Sequence, residues 1–412
     1  MNSETSVLTV TSSSSFNKTI DVPTSKSRAN RYLICAALYP EEVVIENIPE
    51  STDVLKMIEI FKLINLDIIH QGTTVTIKNS FPACEVDSEE NIRLDTGDGG
   101  TTNRFLISLL SLGRNTYDLW PEGKIRSRPI KDLTLPLTDL GVDFFPGTRK
   151  THWMSVTGPA FPQEGQKLTL DCEKSSQFAS SLYMALHNTG VEIDYVNLEN
   201  SAVYFEMTRS TVNEFKKGRR KFVVPIDFSG VGYPLALAAH NGEVHISNYS
   251  EIDPFQPDSA MLSILQKAGA EVKMSSSGLS VKSTGKLVGL DLDCRQYPDL
   301  VPTLAYLFAY AEGKTELKNL STLAHKESNR IDEILKLCQM FKIEAKYNDI
   351  IDVMTIQGNP DRHLGDEVHY DAPEDHRMIM VAYMFMRHNT GGTISNAHHV
   401  KKSFPGFFDL MD

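Results

Sequence analysis

Apolar segments of two kinds alternate along the chain, and the first kind recurs six times. Each copy opens with small, polar or charged residues, continues as an apolar run with helical spacing, and reaches a turn before a short alternating strand. The turns of the first three copies lie about 200 residues before those of the last three. The copies span residues 25–48, 99–120, 175–196, 227–249, 298–320 and 375–397. This spacing predicts two halves of three units each.

The second kind of segment is a helix that leads into two short strands joined by a Gly- or Asn-containing turn. The clear copies are residues 54–79, 133–158, 260–283 and 331–358. This pattern is typical of a helix followed by a hairpin, so each unit is predicted as β-α-β-α-β-β. The third unit is cut short between Tyr204 and Pro225, and the sixth ends at the chain terminus. A solenoid is the alternative, but roughly 70 residues per unit and the break into halves favour two globular domains.

The composition limits the partners and the compartment. The 412 residues suffice for two or three domains, and a formal net charge of −12 argues against a nucleic acid or an anionic membrane as partner. No stretch is apolar for long enough to span a bilayer, and the N-terminus lacks the pattern of a targeting peptide. The five cysteines are far apart and form no CxxC pair, which indicates reduced core residues. We therefore expect a cytoplasmic protein.

Basic residues cluster where the helices begin, although the chain as a whole is acidic. A cation at a helix start is opposed by the helix dipole, so its placement there needs a reason. The simplest reason is a polyanionic ligand held by helix N-termini, guanidinium groups and ammonium groups together. Because the halves are equivalent, the ligand is expected in a cleft between the two domains. The cations concerned are Lys26, Arg31, Arg104, Arg128, Lys326, Arg330, Arg377 and Lys402.

Each of these motifs has an ordinary structural interpretation when it is taken alone. The Gly-rich stretch around Gly100 could be a plain loop, and it matches neither a P-loop nor a dinucleotide-binding spacing. Residues 175–177 could be a simple helix cap, and residues 326–330 a solvated helix start. The histidines lack the spacing of metal ligands, so no metal site is expected. The ordered set of motifs, rather than any one of them, favours a binding site.

Taken in order, the motifs resemble those of the enolpyruvyl transferase family, in the branch that uses shikimate 3-phosphate as the acceptor. The resemblance covers nearly the whole chain and rests on SKSRANR, GDGGTTNR, RSRPI, SSQF, PDLVPTLA, HKESNRI, DHRMIMV and KKSFP. It implies an α/β fold of two similar domains, each of three βαβαββ units in an inside-out, barrel-like arrangement, with the active site in the interdomain cleft. We expect one domain to comprise residues 1–21 and 226–412, and the other residues 22–225.

The resemblance also implies the reaction and the residues. Phosphoenolpyruvate would give its enolpyruvyl group to the 5-hydroxyl of shikimate 3-phosphate and release phosphate, without metal or organic cofactor, on a protein expected to be monomeric. The implied shikimate 3-phosphate contacts are Lys26, Ser27, Arg31, Ser175, Ser176, Gln177, Ser201, Tyr204, Asp299 and Lys326. The implied phosphoenolpyruvate contacts are Lys26, Gly100, Arg128, Gln177, Arg330, Arg377 and Lys402.

Two proton transfers accompany such a reaction, because the ring hydroxyl loses a proton and the methylene carbon of phosphoenolpyruvate gains one. The catalytic candidates are Lys26, Asp299 and Glu327. Our hypothesis is that Asp299 takes the hydroxyl proton, while either Glu327 or Lys26 protonates the methylene carbon. The same carboxylates would stabilise a cationic intermediate.

The chain departs from the family pattern at several positions. Thr322 stands where Asn is common, and Asn329 replaces an Asp whose carboxylate could orient Arg330.

The first alternative function is enolpyruvyl transfer to UDP-N-acetylglucosamine. It is weakened because the loop before Arg128 contains Gly123 and Lys124 but no Cys. The second alternative is a non-catalytic anion-binding protein, which would be expected to lose Lys26, Asp299, Glu327 or Arg377. None of these is lost.

Overall fold

The computed structural model describes residues 7–13, 15–148, 151–361 and 365–412. The chain divides into two compact units. The first unit comprises Met1–Pro23 together with Ile226–Asp412, so far as these residues are described, and the second comprises Thr24–Pro225. The sequence interpretation placed the first boundary after residue 21. None of the helices in the described ranges combines the length and the apolar character that a membrane crossing requires.

Two strands of the first unit precede the second unit. They are β1 (Leu8–Val10) and β2 (Phe16–Ile20). The helices of the second unit are α1 (Lys26–Leu38), α2 (Thr52–Leu63), α3 (Gly100–Leu110), α4 (Lys131–Thr138), α5 (Ser176–Leu186) and α6 (Ala202–Lys216). Its strands are β3 (Val43–Glu46), β4 (Ile68–Gln71), β5 (Thr74–Ile77), β6 (Ile92–Gly97), β7 (Thr116–Pro121), β8 (Asp143–Pro146), β9 (Met154–Thr157), β10 (Lys167–Asp171), β11 (Glu192–Val196) and β12 (Lys221–Val223). The predicted hairpin at residues 133–158 includes positions 149 and 150, which lie outside the described residues.

The rest of the first unit follows residue 225. Its helices are α7 (Phe228–His240), α8 (Ala260–Ala268), α9 (Val301–Ala309), α10 (Arg330–Met340), α11 (His376–His388) and α12 (Phe407–Met411). Its strands are β13 (Gly242–Ile246), β14 (Glu271–Ser275), β15 (Gly278–Lys282), β16 (Asp291–Asp293), β17 (Lys314–Lys318), β18 (Glu344–Asn348), β19 (Val353–Gln357), β20 (Val368–Tyr370) and β21 (Gly392–Ile394).

The sheets repeat one topology in both units. Each unit has two four-stranded sheets, with strand orders β12-β3-β5-β4 and β6-β7-β9-β8 in the second unit and β14-β15-β13-β2 and β16-β17-β19-β18 in the first. In every case a parallel pair is extended by an antiparallel hairpin. A parallel pair needs a crossover helix, whereas a hairpin needs only a turn. The topology confirms the predicted two-domain α/β fold of repeated units, and every sheet of the described chain is open rather than a closed barrel.

The third and sixth of the six repeats, which are the short ones, end differently from the other four. After α6, strand β12 pairs in parallel with β3 of the first sheet instead of forming a hairpin. After β21, the chain forms a 3-10 helix and the short helix α12, while β1 pairs antiparallel with β21. The truncation that the sequence indicates for these units is therefore present. In the first unit, β2 similarly pairs in parallel with β13, although more than 200 residues separate the two strands.

The first-type helices form the centre of each unit. Helices α1, α3 and α5 pack on one another in the second unit, and α7, α9 and α11 do so in the first. Helix α7 is buried from Phe228 to Ala239, as expected of a helix that is apolar on every side. Each unit has its own buried apolar cluster around these helices. Because the centres of these helices are apolar, the polar and charged side chains of each set of three helices are concentrated at the N-terminal ends.

Candidate active site: charged helix starts in each unit

Lys26 begins helix α1 and pairs with an acidic residue at the start of α2. Ser25 caps α1 by accepting a hydrogen bond from the Arg28 backbone amide. The Lys26 ammonium lies 2.9 Å from the Asp53 carboxylate, and the Asp53 side chain is almost fully buried. Asp53 is the second residue of α2, a position at which the helix dipole favours a negative charge. The pair holds the Lys26 ammonium beside the start of α1.

The start of α3 is shaped by two neighbouring glycines. A Cβ atom on Gly99 would lie 2.6 Å from the Asp53 carboxylate, and one on Gly100 would lie 2.6 Å from Arg128 Nη1. No real Cβ atom comes so close to such atoms, so the absence of a side chain lets the Arg128 guanidinium lie directly against the Gly100 backbone. Together, Gly100 and Arg128 present a helix N-terminus and a guanidinium on one small surface, a combination suited to an anion.

The start of α5 is joined to α3 through Arg104. Arg104 donates to Gln177 Oε1 at 2.7 Å and to Ser175 Oγ at 3.2 Å. Gln177 Nε2 in turn donates to Thr101 Oγ1 at 3.0 Å. Ser175 caps α5 by accepting from the Gln177 backbone amide, and Ser176 is a buried first residue of the helix. The structure therefore brings Ser175, Ser176 and Gln177 next to the α3 start.

Arg31, one turn further along α1, is a buried side chain that donates hydrogen bonds to groups of its own unit. It is 2% exposed, and it donates to Thr208 Oγ1, Ser180 Oγ and the backbone carbonyls of Ser27 and Tyr204. This network links the start of α1 to α6, where Ser201 precedes the helix in a left-handed conformation. The predicted residues Ser27, Arg31, Ser201 and Tyr204 thus belong to one neighbourhood, in which Arg31 is a buried organising group.

In the first unit, Arg330 is enclosed by carboxylates. Its Nε donates to Asp375 Oδ2 at 2.8 Å, and its Nη2 donates to Asp375 Oδ1 at 3.2 Å. Nη2 also donates to Glu327 Oε2 at 2.9 Å, and Nη1 donates to Asp299 Oδ1 at 2.8 Å. Such geometry uses the planar fork of arginine. The three carboxylates raise the pKa of the Arg330 guanidinium even though burial alone would lower it.

Asp299 lies among three cations. Arg377 Nη2 donates to its Oδ2 at 3.1 Å, and Lys326 Nζ lies 3.3 Å from its Oδ1, the atom that also accepts from Arg330. Burial would raise the pKa of Asp299, but the charges of Arg377, Lys326 and Arg330 outweigh burial and hold this pKa well below its usual range. Asp299 is therefore an ionised carboxylate at neutral pH.

Lys402 is the last of the predicted charged residues of the first unit. Its side chain is buried, and its ammonium lies 3.9 Å from Glu327 Oε1. All six predicted residues of this unit, namely Asp299, Lys326, Glu327, Arg330, Arg377 and Lys402, are thus linked by direct ion pairs. The ten predicted residues of the second unit gather at the starts of its helices and in the loop before α4.

Three of the predicted helix-start cations occupy a different local position. Arg128 directly follows the 3-10 helix Gly123–Ser127, and Lys326 directly follows the 3-10 helix Ser321–His325. Lys402 is the last residue of the 3-10 helix Ala397–Lys402 rather than the first of an α-helix. Arg128 and Lys326 still lie within about one turn of the helices that follow them, α4 and α10, as predicted, whereas Lys402 lies five residues before α12. All three cations also stand at the C-terminal ends of short helices, where a cation is favoured.

Asn329 stands where the family pattern has an Asp that could orient Arg330, but the guanidinium has other carboxylate partners. Asn329 donates to Asp332, while Asp375, Glu327 and Asp299 orient Arg330. Sequence reasoning named Arg104 among the helix-start cations, but it had not assigned Asp53 or Asp375 to the site. An acidic residue in the first helical turn is a common capping feature, so only the partner in space shows its role.

Solved structures share this fold. An EPSP synthase from Acinetobacter baumannii aligns with a TM-score of 0.76 at 20% identity, over 98% of this chain and 97% of that one. The enolpyruvyl transferase NikO from Streptomyces tendae aligns with a TM-score of 0.72 at 15% identity, over 98% of this chain and 96% of that one. At these identities the likeness concerns the fold, which is that of the enolpyruvyl transferase class.

The sequence comparisons identify the family within that class. The profile of EPSP synthase (3-phosphoshikimate 1-carboxyvinyltransferase) matches residues 10–218 and 211–411. A 3-phosphoshikimate 1-carboxyvinyltransferase from Methanopyrus kandleri is 29% identical over 95% of this chain and 94% of the relative. The chloroplastic enzyme of the same name from Petunia hybrida is 29% identical over 95% and 82%. The chain belongs to the EPSP synthase family, and its relatives are enzymes.

Proposed function

We propose that this enzyme transfers the enolpyruvyl group of phosphoenolpyruvate to the 5-hydroxyl of shikimate 3-phosphate by addition and elimination, with release of phosphate. The observation that carries the proposal is the pair of cation sets, one in each unit, on a chain that belongs to the EPSP synthase family. Two substrates that bring two phosphates and two carboxylates need several fixed cations. The two sets supply Lys26, Arg128, Lys326, Arg330, Arg377 and Lys402.

The first proposed role is binding. Lys26, Ser27, Arg31, Ser175, Ser176, Gln177, Ser201 and Tyr204, with Asp299 and Lys326 from the other unit, would hold shikimate 3-phosphate. Gly100, Arg128 and Gln177, with Lys26 and with Arg330, Arg377 and Lys402, would hold phosphoenolpyruvate. Both substrates would then draw on residues of both units, so catalysis requires the two units to act on one pair of substrates.

The second proposed role is proton transfer from the 5-hydroxyl. Asp299 is ionised, as a base must be, but its three cationic neighbours make it a weak base. The anionic groups of phosphoenolpyruvate on Arg330 and Arg377 would offset those charges. The basicity of Asp299 would therefore rise when the second substrate binds, which couples proton removal to a complete set of substrates.

The third proposed role is protonation of the methylene carbon. Glu327 contacts Arg330 and lies near Lys402, whereas Lys26 is paired with Asp53. The Glu327 carboxyl and the Lys26 ammonium both remain candidates for the acid, and the variants Glu327→Gln and Lys26→Met distinguish between them. If Glu327 is the acid, Glu327→Gln loses exchange of solvent deuterium into the methylene group, whereas Lys26→Met would be the variant that loses it if the ammonium is the acid.

The competing acceptor is a UDP-sugar. The loop Gly123–Ser127 before Arg128 contains no cysteine, and the curated relatives are 3-phosphoshikimate 1-carboxyvinyltransferases. The decisive experiment follows phosphorus resonances in a mixture of purified protein, phosphoenolpyruvate and either acceptor. With shikimate 3-phosphate, but not with the UDP-sugar, we expect free phosphate and a shifted 3-phosphate resonance from the enol-ether product. Product only with UDP-N-acetylglucosamine, or with neither acceptor, would refute the proposal.

We also expect the enzyme to work as a monomer, in the cytoplasm, without metal or organic cofactor. Light scattering after gel filtration measures the first property, and a dimer mass would contradict it. Dialysis against a chelator measures the last, and turnover is expected to be unchanged.

A further inference from the structure

A buried carboxyl group in the first unit lies outside the set described above. Asp258 belongs to the 3-10 helix Pro257–Ser259, just before α8, and is 1% exposed. Its Oδ2 accepts a hydrogen bond from the Ser229 hydroxyl at the start of α7. Its Oδ1 has no hydrogen-bond partner among the described residues. A carboxylate left half unsatisfied in a buried place is costly, so the protonation state of this group matters.

The internal repeat shows what is unusual about Asp258. In the second unit the corresponding acid is Asp53, which also lies at the start of a second-type helix beside a first-type helix start. Asp53 is paired with Lys26, the first residue of α1. The first residue of α7 is Phe228. The first unit therefore keeps the buried acid but has an apolar residue where its repeat has the cation.

Charged groups from three neighbouring elements act on Asp258. They are Asp227 from the start of α7, Asp299 from the 3-10 helix before α9, and Arg377 from α11. Burial and the negative charges of Asp299 and Asp227 favour the protonated form of Asp258. The positive charge of Arg377 and the hydrogen bond from Ser229 favour the ionised form. The result raises the pKa of Asp258 to about 7. Its charge thus changes near neutral pH.

We propose that Asp258 is a positioning residue of the phosphoenolpyruvate site, and that its proton sets how strongly Arg377 attracts the anionic substrate. The inference rests on the proposed function, in which Arg377 binds phosphoenolpyruvate. When Asp258 is protonated, Arg377 faces fewer competing carboxylates and binds the anion tightly. When Asp258 loses its proton to solvent, one more negative charge shares Arg377 and affinity falls. By linkage, the bound anion must also favour protonation of Asp258.

The test compares the dissociation constant of phosphoenolpyruvate for wild type and Asp258→Asn between pH 6 and pH 8.5, by calorimetry. Both proteins meet the same ligand, so titration of phosphoenolpyruvate itself cancels in the ratio. The ratio is expected to be close to one at pH 6. At pH 8.5 wild type is expected to bind roughly fivefold more weakly, since the asparagine stays neutral. In turnover the change should appear in KM rather than kcat.

A second variant keeps the proposal testable if Asp258→Asn does not fold. Ser229→Ala removes the hydrogen bond that favours the ionised acid, so the pH at which affinity falls should move upward. The matched control is Glu85→Gln, which changes a buried acid in the second unit that accepts hydrogen bonds from Arg114 and Asn115. Those residues follow the C-terminal end of α3, whereas the α3 start lies at the candidate site. This control should leave the pH dependence as in wild type.

The outcomes are distinct. A ratio that does not change with pH in Asp258→Asn, or an unchanged midpoint in Ser229→Ala, overturns the role of Asp258. Absence of turnover in wild type overturns the proposed function instead, and the binding ratio still decides the role of Asp258, because it needs no catalysis.

Discussion

Arg330 and Asp375 form a two-point ion pair that is buried on both sides. Arg330 Nε and Nη2 donate to the two oxygens of Asp375 at 2.8 Å and 3.2 Å, and the side chains are 1% and 0% exposed. Asp375 also caps α11 by accepting from the Arg377 backbone amide. The same carboxylate thus fixes one arginine and begins the helix that carries another. The pair is the structural centre of the first-unit site.

Replacing Arg330 by Lys tests this pair. Lysine keeps the charge but cannot form the two parallel hydrogen bonds, so the buried Asp375 and the partly exposed Asp299 and Glu327 lose part of their compensation. We expect a loss of about 3 kcal/mol in the free energy of unfolding and a large rise in KM for phosphoenolpyruvate. Urea denaturation and steady-state kinetics measure the two effects. The matched control is Arg93→Lys, whose pair with Asp95 is more than half exposed and should change stability by less than about 0.5 kcal/mol.

Replacing Gly100 by Ala tests the contact with Arg128. The added Cβ would lie 2.6 Å from Arg128 Nη1, so the flexible end of Arg128 must move away. Folding should be unaffected, whereas KM for phosphoenolpyruvate should rise roughly tenfold, a cost of about 1.4 kcal/mol in binding. In an Arg128→Ala background the same change should add little. Equal effects in both backgrounds would show that Gly100 acts independently of Arg128.

Replacing Asp299 by Asn tests its role as the base. The amide keeps the size and part of the hydrogen bonding, but it cannot take a proton. We expect kcat to fall by a factor of about 100 or more, with a smaller change in KM for either substrate. Quenched-flow measurement of phosphate release follows the chemical step. Wild-type kcat in this variant would exclude Asp299 as the acceptor of the hydroxyl proton.

Replacing His240 by Gln tests an acid-sensitive position in the first unit. His240 packs against the rings of Tyr306, Tyr310 and His388. Burial lowers the pKa of His240 to about 4, against the smaller opposing effect of a hydrogen bond to the Leu307 backbone. The unfolded chain therefore binds the proton first as the pH falls below about 6.5. This part of the stability is present above pH 6.5 and is lost on the way to pH 4.

The glutamine variant should be less sensitive to acid over that range. We expect wild type, but not His240→Gln, to lose about 1–2 kcal/mol of unfolding free energy from this group between pH 6.5 and pH 4.5. Urea midpoints at each pH provide the measurement. His369→Gln, at an exposed position, is the control. Parallel pH profiles for wild type and His240→Gln would contradict the assignment.

Local signals were sufficient for the helix starts and the repeat. Ser25, Ser175 and Asp375 cap helices at the predicted places because a cap depends only on residues two or three positions away. The alternating strands and hairpins followed from side-chain periodicity for the same reason. The site residues emerged from their order in the chain and from the family resemblance.

Contacts between distant residues could not be read from the chain. Lys26 and Asp53 are 27 positions apart, and Arg330 and Asp375 are 45 apart. Nothing local distinguishes these acids from ordinary first-turn carboxylates. The 3-10 helices before Arg128 and Lys326 were missed because such short helices have little periodicity. Asp258 was missed because its role depends on a comparison in space. Its counterpart Asp53 is paired with Lys26, whereas the first residue of α7 is Phe228.

Phosphate release directly tests the proposal that both units serve one reaction. Wild type, Lys26→Met and Arg377→Gln are each mixed with phosphoenolpyruvate, with and without shikimate 3-phosphate. Wild type should release phosphate only when both substrates are present, and each variant, altered in a different unit, should be slower by a factor of about 100 or more. Full activity in either variant, or no release by wild type, would contradict the proposal.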